Sequence, residues 1–214
     1  MAVAASAAAE TLRVEFWLTK DPVGLTAPGG NAREPGELTE RERQAFERLI
    51  EDARWTFSGM IYGFDVRWTP SSRSRDVEEE LSIIPHAMIP ENDPRMSVAA
   101  IVEDGNLVYI SVDYRVDETQ ARRVSGWKGE SLPKASGGGS ASVFLPDSRR
   151  GAMEDAIKET IRAWLRAREY NRPREVSGRV AFVSAPEISY SAGQVRADIT
   201  LSMDLKPLRE YRID

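Results

Sequence analysis

The sequence predicts an α+β fold, a two-layer sandwich in which a mainly antiparallel sheet carries two long helices packed on one face. Three observations predict it. Phe46, Leu49, Ile50, Ala53, Phe57, Met60 and Ile61 recur at the helical period, and Met153, Ala156, Ile157, Thr160, Ile161 and Trp164 do so again. Two apolar runs flank Asp104-Gly105, a dipeptide suited to a tight hairpin turn. Near the end of the chain, Val195, Ala197, Ile199, Leu201, Met203 and Leu205 alternate with Arg196, Asp198, Thr200, Ser202 and Asp204, as a strand with one wet face requires.

Taken in order, residues 11–18 read as a first strand with Leu12, Val14, Phe16 and Leu18 on one face. Residues 19–38 form a long connection rich in Pro and Gly. Thr39-Glu40-Arg41-Glu42 is a capping box opening a helix over 39–62, and Gly63 is its natural stop. Phe64, Val66 and Trp68 then alternate as a strand, and 77–84 reads as another. Glu78, Glu79 and Glu80 fit a solvated or Arg-paired strand edge better than a cation site, and His86 falls in an irregular Pro-rich link. The hairpin 96–116 follows. Residues 117–142 read as a second long connection, with Gly137, Gly138 and Gly139 as a flexible linker. Pro146 precedes the second helix, and 176–183, 187–190 and 195–205 are the closing strands.

At 214 residues the chain is long enough for one well-cored domain. Residues 1–10 are an Ala-rich tail, and 11–214 form a single α+β domain. The order strand, long loop, capped helix, antiparallel strands occurs twice, which admits a reading as two similar halves, 11–116 and 141–205, joined by a Gly-rich loop. Ala-x-Ala spacing in the tail matches the cleavage end of an export signal, though a basic start and a full apolar core are missing. Export to a periplasmic or equivalent compartment is the expectation, with a cytoplasmic Ala-rich tail as the alternative. No apolar run reaches the roughly 20 residues that span a bilayer as a helix.

Composition narrows the chemistry. The chain has no cysteine, so disulfides, thiolate metal sites and cysteine nucleophiles are excluded, and its one histidine leaves no multi-histidine site. No metal or cofactor is expected. A formal net charge of -5, with acids interleaved among the arginines, argues against nucleic acid as a partner. Ser131 and Lys134 have the spacing of an acylating pair, but Pro133 between them and the glycines beyond rule out the helix that chemistry needs. The glycine run lacks the lysine of a phosphate-binding loop.

Two places remain. On the back of the first helix, Glu47, Arg48, Glu51 and Asp52 give way to Trp55, Ser58, Gly59 and Tyr62, so the last two turns are apolar or small all round. Such a helix needs cover on both sides, from the loop 19–38 or from another chain. Trp55 and Tyr62 are therefore candidate partner-binding residues, in a homodimer or against another protein. The second place is the convergence of loops 19–38 and 117–142, where Arg33, Trp127, Lys128 and Lys134 would border a small-ligand or hydrolytic cleft. The run from Ala53 to Val66, a helix with spaced alanines ending at Gly63 and turning into a strand, resembles small exported bacterial envelope and flagellar-accessory domains. No residue role follows from that resemblance. The expected function is a non-enzymatic exported protein that acts by protein–protein interaction, as a cell-envelope binding or assembly module.

Overall fold

The computed structural model describes residues 10–19, 40–104, 107–145, 147–168 and 173–207. Among them the chain runs β1 (Thr11–Thr19), α1 (Glu40–Ile61), β2 (Phe64–Thr69), β3 (Glu80–Pro85), β4 (Met96–Asp104) and β5 (Leu107–Arg115). It continues through α2 (Glu118–Lys128), β6 (Lys134–Ser142), α3 (Ser148–Arg166), β7 (Val176–Phe182), β8 (Glu187–Ser191) and β9 (Gln194–Leu205). The strands make two sheets. The smaller has the order β1-β5-β4; the larger has the order β3-β2-β7-β9-β6, with β8 also paired to β9. Every pairing between these strands is antiparallel.

Among the described residues the protein is thus mixed α+β with antiparallel sheets and three α-helices, and it departs from the expected single sheet with two helices on one face. The departure follows from α1. Phe57, on its long apolar stripe, faces Tyr114 of β5 with ring centroids 5.7 Å apart. Trp55, on its back, faces Phe64 of β2 at 4.4 Å and Phe182 of β7 at 6.0 Å. A helix with apolar residues around its whole girth must be covered on two flanks, and here the smaller sheet covers one and the larger sheet the other. Gly63, at φ +77°, turns the chain from α1 into β2 as its position implies.

α3 lies on β6 and β9 of the larger sheet, beside α1. The Arg149 side chain donates to Asp52 of α1 at 2.8 Å, both nearly buried, and Thr56 reaches Met153 Sδ at 3.7 Å. The close seat of α3 depends on the glycine run. A Cβ on Gly139 would collide with the backbone of Ala156, and one on Gly137 with Thr160. These glycines are strand residues against which a helix backbone is pressed, which corrects their reading as a flexible linker.

The stretch 117–142 is accordingly no long loop. Asp117 Oδ1 accepts from the Gln120 amide at 2.9 Å, while Gln120 Oε1 accepts from the Asp117 amide at 3.1 Å. This reciprocal cap starts α2. The strand expected over 77–84 begins later, at Glu80: Val77 forms only an isolated bridge with Ser72, and Glu79 accepts from the Trp68 indole at 3.0 Å. The capping box at Thr39 and the loop over 20–38 lie outside the described residues.

Candidate interaction site

The aromatic back of α1 is covered by its own chain. Trp55 is 3% exposed, packed on Phe64 and Phe182, which also touch each other, with the Arg150 guanidinium 5.6 Å from its ring centroid. Tyr62 is half-buried under α2: its hydroxyl accepts from Gln120 Nε2 at 2.8 Å, and Arg123 lies 5.7 Å from its ring. Ser58 Oγ accepts the Ile89 amide at 3.0 Å, tying the β3–β4 link down on the same flank. The need for cover is met internally, and Trp55 presents almost no surface to an outside protein.

Nor do the cleft candidates gather in one cavity wall. Trp127 donates from its indole to the Ile61 carbonyl at 3.3 Å, sealing the C-terminal end of α1. Lys128 pairs with Glu10 at 3.2 Å, and Lys134 donates to the Gly129 carbonyl at 2.7 Å. Arg33 lies outside the described residues. The physical reason is again α2 and β6, which occupy the place assigned to a converging loop.

Two polar clusters tie elements together, the first part-exposed at Arg95 and Asp117 and the second nearly buried. Asp93 accepts from Arg95 at 2.8 and 3.1 Å and from the Tyr114 hydroxyl at 3.2 Å. Arg95 also donates to Asp117 at 2.8 Å and to Gln120 at 3.1 Å. The Arg95 hydrogen bonds hold the Asp93 carboxyl down at about 2, and burial pushes the Tyr114 hydroxyl up to about 12. The cluster fastens the β3–β4 link, β5, α2 and the end of α1 to one another. The second cluster is Asp52–Arg149, extended by Arg149 donating to the Tyr190 hydroxyl at 3.2 Å. In both, the acid and base groups are hydrogen-bonded to each other, which is the chemistry of a brace.

Among the described residues β4 is an edge strand that exposes apolar side chains, as β3 does at Ile84 and the segment before α3 does at Phe144 and Leu145. β4 ends the smaller sheet, so among the described residues it has a hydrogen-bonded strand on one side alone. Its register with β5 sets Met96, Val98 and Ile101 opposite the buried Tyr114, Val112 and Ile110, hence on the inner face. Val102 is opposite Tyr109 on the outer face, and a bulge between Val98 and Ala100 shifts the alternation. Val98 is 39% exposed, Ile101 55% and Val102 55%. Beneath the inner face a groove of about 830 Å³ runs between β4 and the first half of α1, with Phe46, Ile50, Met96, Val98 and Val112 as its apolar wall and charged residues such as Glu47, Arg48 and Glu91 at its rim. Apolar side chains thus stand open on both faces of an edge strand. The signal was present in the unbroken run Val98, Ala99, Ala100, Ile101, Val102, which lacks the polar alternation of its neighbour β5.

A model of an uncharacterized protein family matches residues 1–211. The chain belongs to that family. A protein of Treponema pallidum (strain Nichols), itself described as uncharacterized, is 23% identical over 208 residues, covering 95% of this chain and 83% of the relative. No solved structure matches the chain. The match runs through both sheets and all three helices, so the arrangement around β4 falls within the family's shared span.

Proposed function

We propose that this protein is a non-enzymatic binding module that acts by contact with another protein, and that the free edge of β4 is its contact surface. The observation that carries this reading is the exposure of Val98, Ile101 and Val102 on a strand that, among the described residues, has one side unpaired. Such an edge offers backbone donors and acceptors to any chain that meets it, and natural proteins blunt it with charge or proline when it has no partner. Here the middle of the strand carries aliphatic side chains around a bulge, with acids, Glu103 and Asp104, at its end alone. The braced polar clusters support a structural role for the acids and bases that form them.

Export belongs to the same proposal and rests on the Ala-x-Ala spacing at the start of the chain and the absence of cysteine. Fractionation of cells producing the full gene product checks it: recovery outside the cytoplasm is expected, and a purely cytoplasmic product ends that part of the reading. For the contact surface, a photo-reactive amino acid placed at Ile101 and, separately, at Arg67 on the outer face of the larger sheet is the test. A discrete protein adduct from position 101 and none from 67 is expected in cells. Adducts from neither, or equally from both, would overturn the assignment of β4.

A further inference from the structure

We infer that the occupant of the β4 edge is a second copy of this chain, joined by antiparallel β4–β4 pairing about a two-fold axis between Ala99 and Ala100. The inference rests on the proposed role of β4 and adds the identity of the partner. Two observations fix the one register a second copy would take, and a third, charge, favours that copy as the occupant.

The first is the backbone. Arg95 gives its carbonyl to the Arg115 amide at 3.0 Å, so strand alternation turns the backbone groups of Met96 and Val98 to the open side. Beyond the bulge, the pair Asp104–Leu107 closes the hairpin, and alternation then turns Glu103 and Ile101 outward. A two-fold axis between Ala99 and Ala100 sets Ile101 against the partner's Val98 and Glu103 against the partner's Met96. Every outward-turned residue then meets another.

The second is the faces. Met96, Val98 and Ile101 share the inner face, and Ser97 and Val102 the outer one, because the bulge shifts the alternation by a residue. In the same register Ile101 lies beside the partner's Val98 within the inner face, and Val102 beside the partner's Ser97 within the outer one. A register displaced by one residue would set inner against outer positions. The bulge, which would otherwise spoil pairing along an edge, falls at the axis, where both residues are alanine.

The third is charge. The strand is acidic at its end, Asp104, and basic just before its start, Arg95. Antiparallel pairing brings Asp104 opposite the partner's Arg95, whose guanidinium is held by Asp93 and Asp117, so the cation that faces Asp104 is the exposed Arg115 on the adjoining strand. Opposite charges facing across a pair stabilise it, and like charges oppose it. An isologous contact is self-complementary in this way.

The natural absence of cysteine makes the test clean. Val98→Cys and Ile101→Cys are made as separate full-length variants, each checked for a wild-type circular dichroism spectrum and melting curve. Residues directly opposed in a hydrogen-bonded pair have Cα atoms about 5.5 Å apart, within disulfide range. Oxidising the two variants mixed is expected to yield a covalent species of twice the chain mass, and oxidising either alone is not. Sedimentation equilibrium is expected to give twice the chain mass for the wild type and a halved mass for Ile101→Lys. A wild-type monomer with no disulfide in the mixture overturns the second copy. If position 101 then cross-links to a different protein, the binding reading stands with another partner; if it cross-links to nothing, that reading falls too, and the bulge serves to keep the edge apart.

Discussion

The ring of Phe64 occupies the space that a side chain on Gly59 would fill. This one relationship joins α1 to the strand that follows it, because the same ring packs on Trp55 and meets Phe182 at 5.1 Å. Gly59→Ala tests it. Alanine is the better helix former by about 1 kcal/mol, yet overpacking a filled core costs typically about 1–3 kcal/mol. The ring is walled in by two other aromatics, so the clash prevails. Denaturant unfolding should show Gly59→Ala less stable than wild type, and the loss should shrink when Phe64→Leu makes room.

A second contrast lies within the glycine run. Gly139 is pressed on the backbone of Ala156, whereas an added Cβ at Gly138 would meet first the tip of the Asp198 side chain. Backbone cannot step aside as a carboxylate can. Gly139→Ala is expected to lower stability by about 1–3 kcal/mol, and Gly138→Ala to change it by well under 1 kcal/mol. Equal effects in urea melts would mean that α3 is not seated on β6 as described.

The Asp52–Arg149 pair predicts an asymmetry. Burial pushes the Asp52 carboxyl above the usual carboxylate range even with Arg149 beside it, the mark of a pair whose desolvation is costly. Removing one partner leaves the other charge buried alone. Asp52→Ala should therefore cost about 3–5 kcal/mol, while the double replacement Asp52→Leu with Arg149→Met should cost less than the single one. A double-mutant cycle read by chemical denaturation decides it.

Two pH limits follow from the Asp93–Tyr114 cluster. The folded-state value of Asp93, about 2, lies below its ordinary 3.8. Its contribution is full above the ordinary value and is lost as pH falls from there toward 2. Tyr114 runs the other way: its value rises from 10.0 to about 12, so its contribution is full below 10 and is lost as pH rises through 12. Asp93→Asn should flatten the acid limb of a stability–pH curve, and Tyr114→Phe the alkaline limb. Each should leave most of the opposite limb in place, because the larger cause of each shift lies elsewhere, in Arg95 for Asp93 and in burial for Tyr114.

How far these features can be read in the residues depends on their range. α1, β9 and the β4–β5 hairpin carry long periodic patterns or a strong turn, and their positions in the structure match those patterns to within a residue or two. α2 buries only Gln120 and Val124, too little to imprint a stripe, and its one local sign is the Asp117–Gln120 cap. The glycines of β6 look like a linker until α3, from later in the chain, is laid upon them. Trp55 announces that α1 needs a second cover, but which element provides it is settled by strand pairing between β2 and β7, more than a hundred residues apart. The β4 surface is the reverse case: its apolar run is plain in the sequence, and its meaning appears only when β4 proves to be an edge.

Amide hydrogen exchange across a protein concentration series tests most directly whether β4, and not the aromatic back of α1, is where this chain meets a partner. The account predicts that exchange in 96–104 slows as concentration rises while 55–62 stays equally protected throughout. Protection gained in 55–62, with β4 exchanging at the same rate at every concentration, would contradict it.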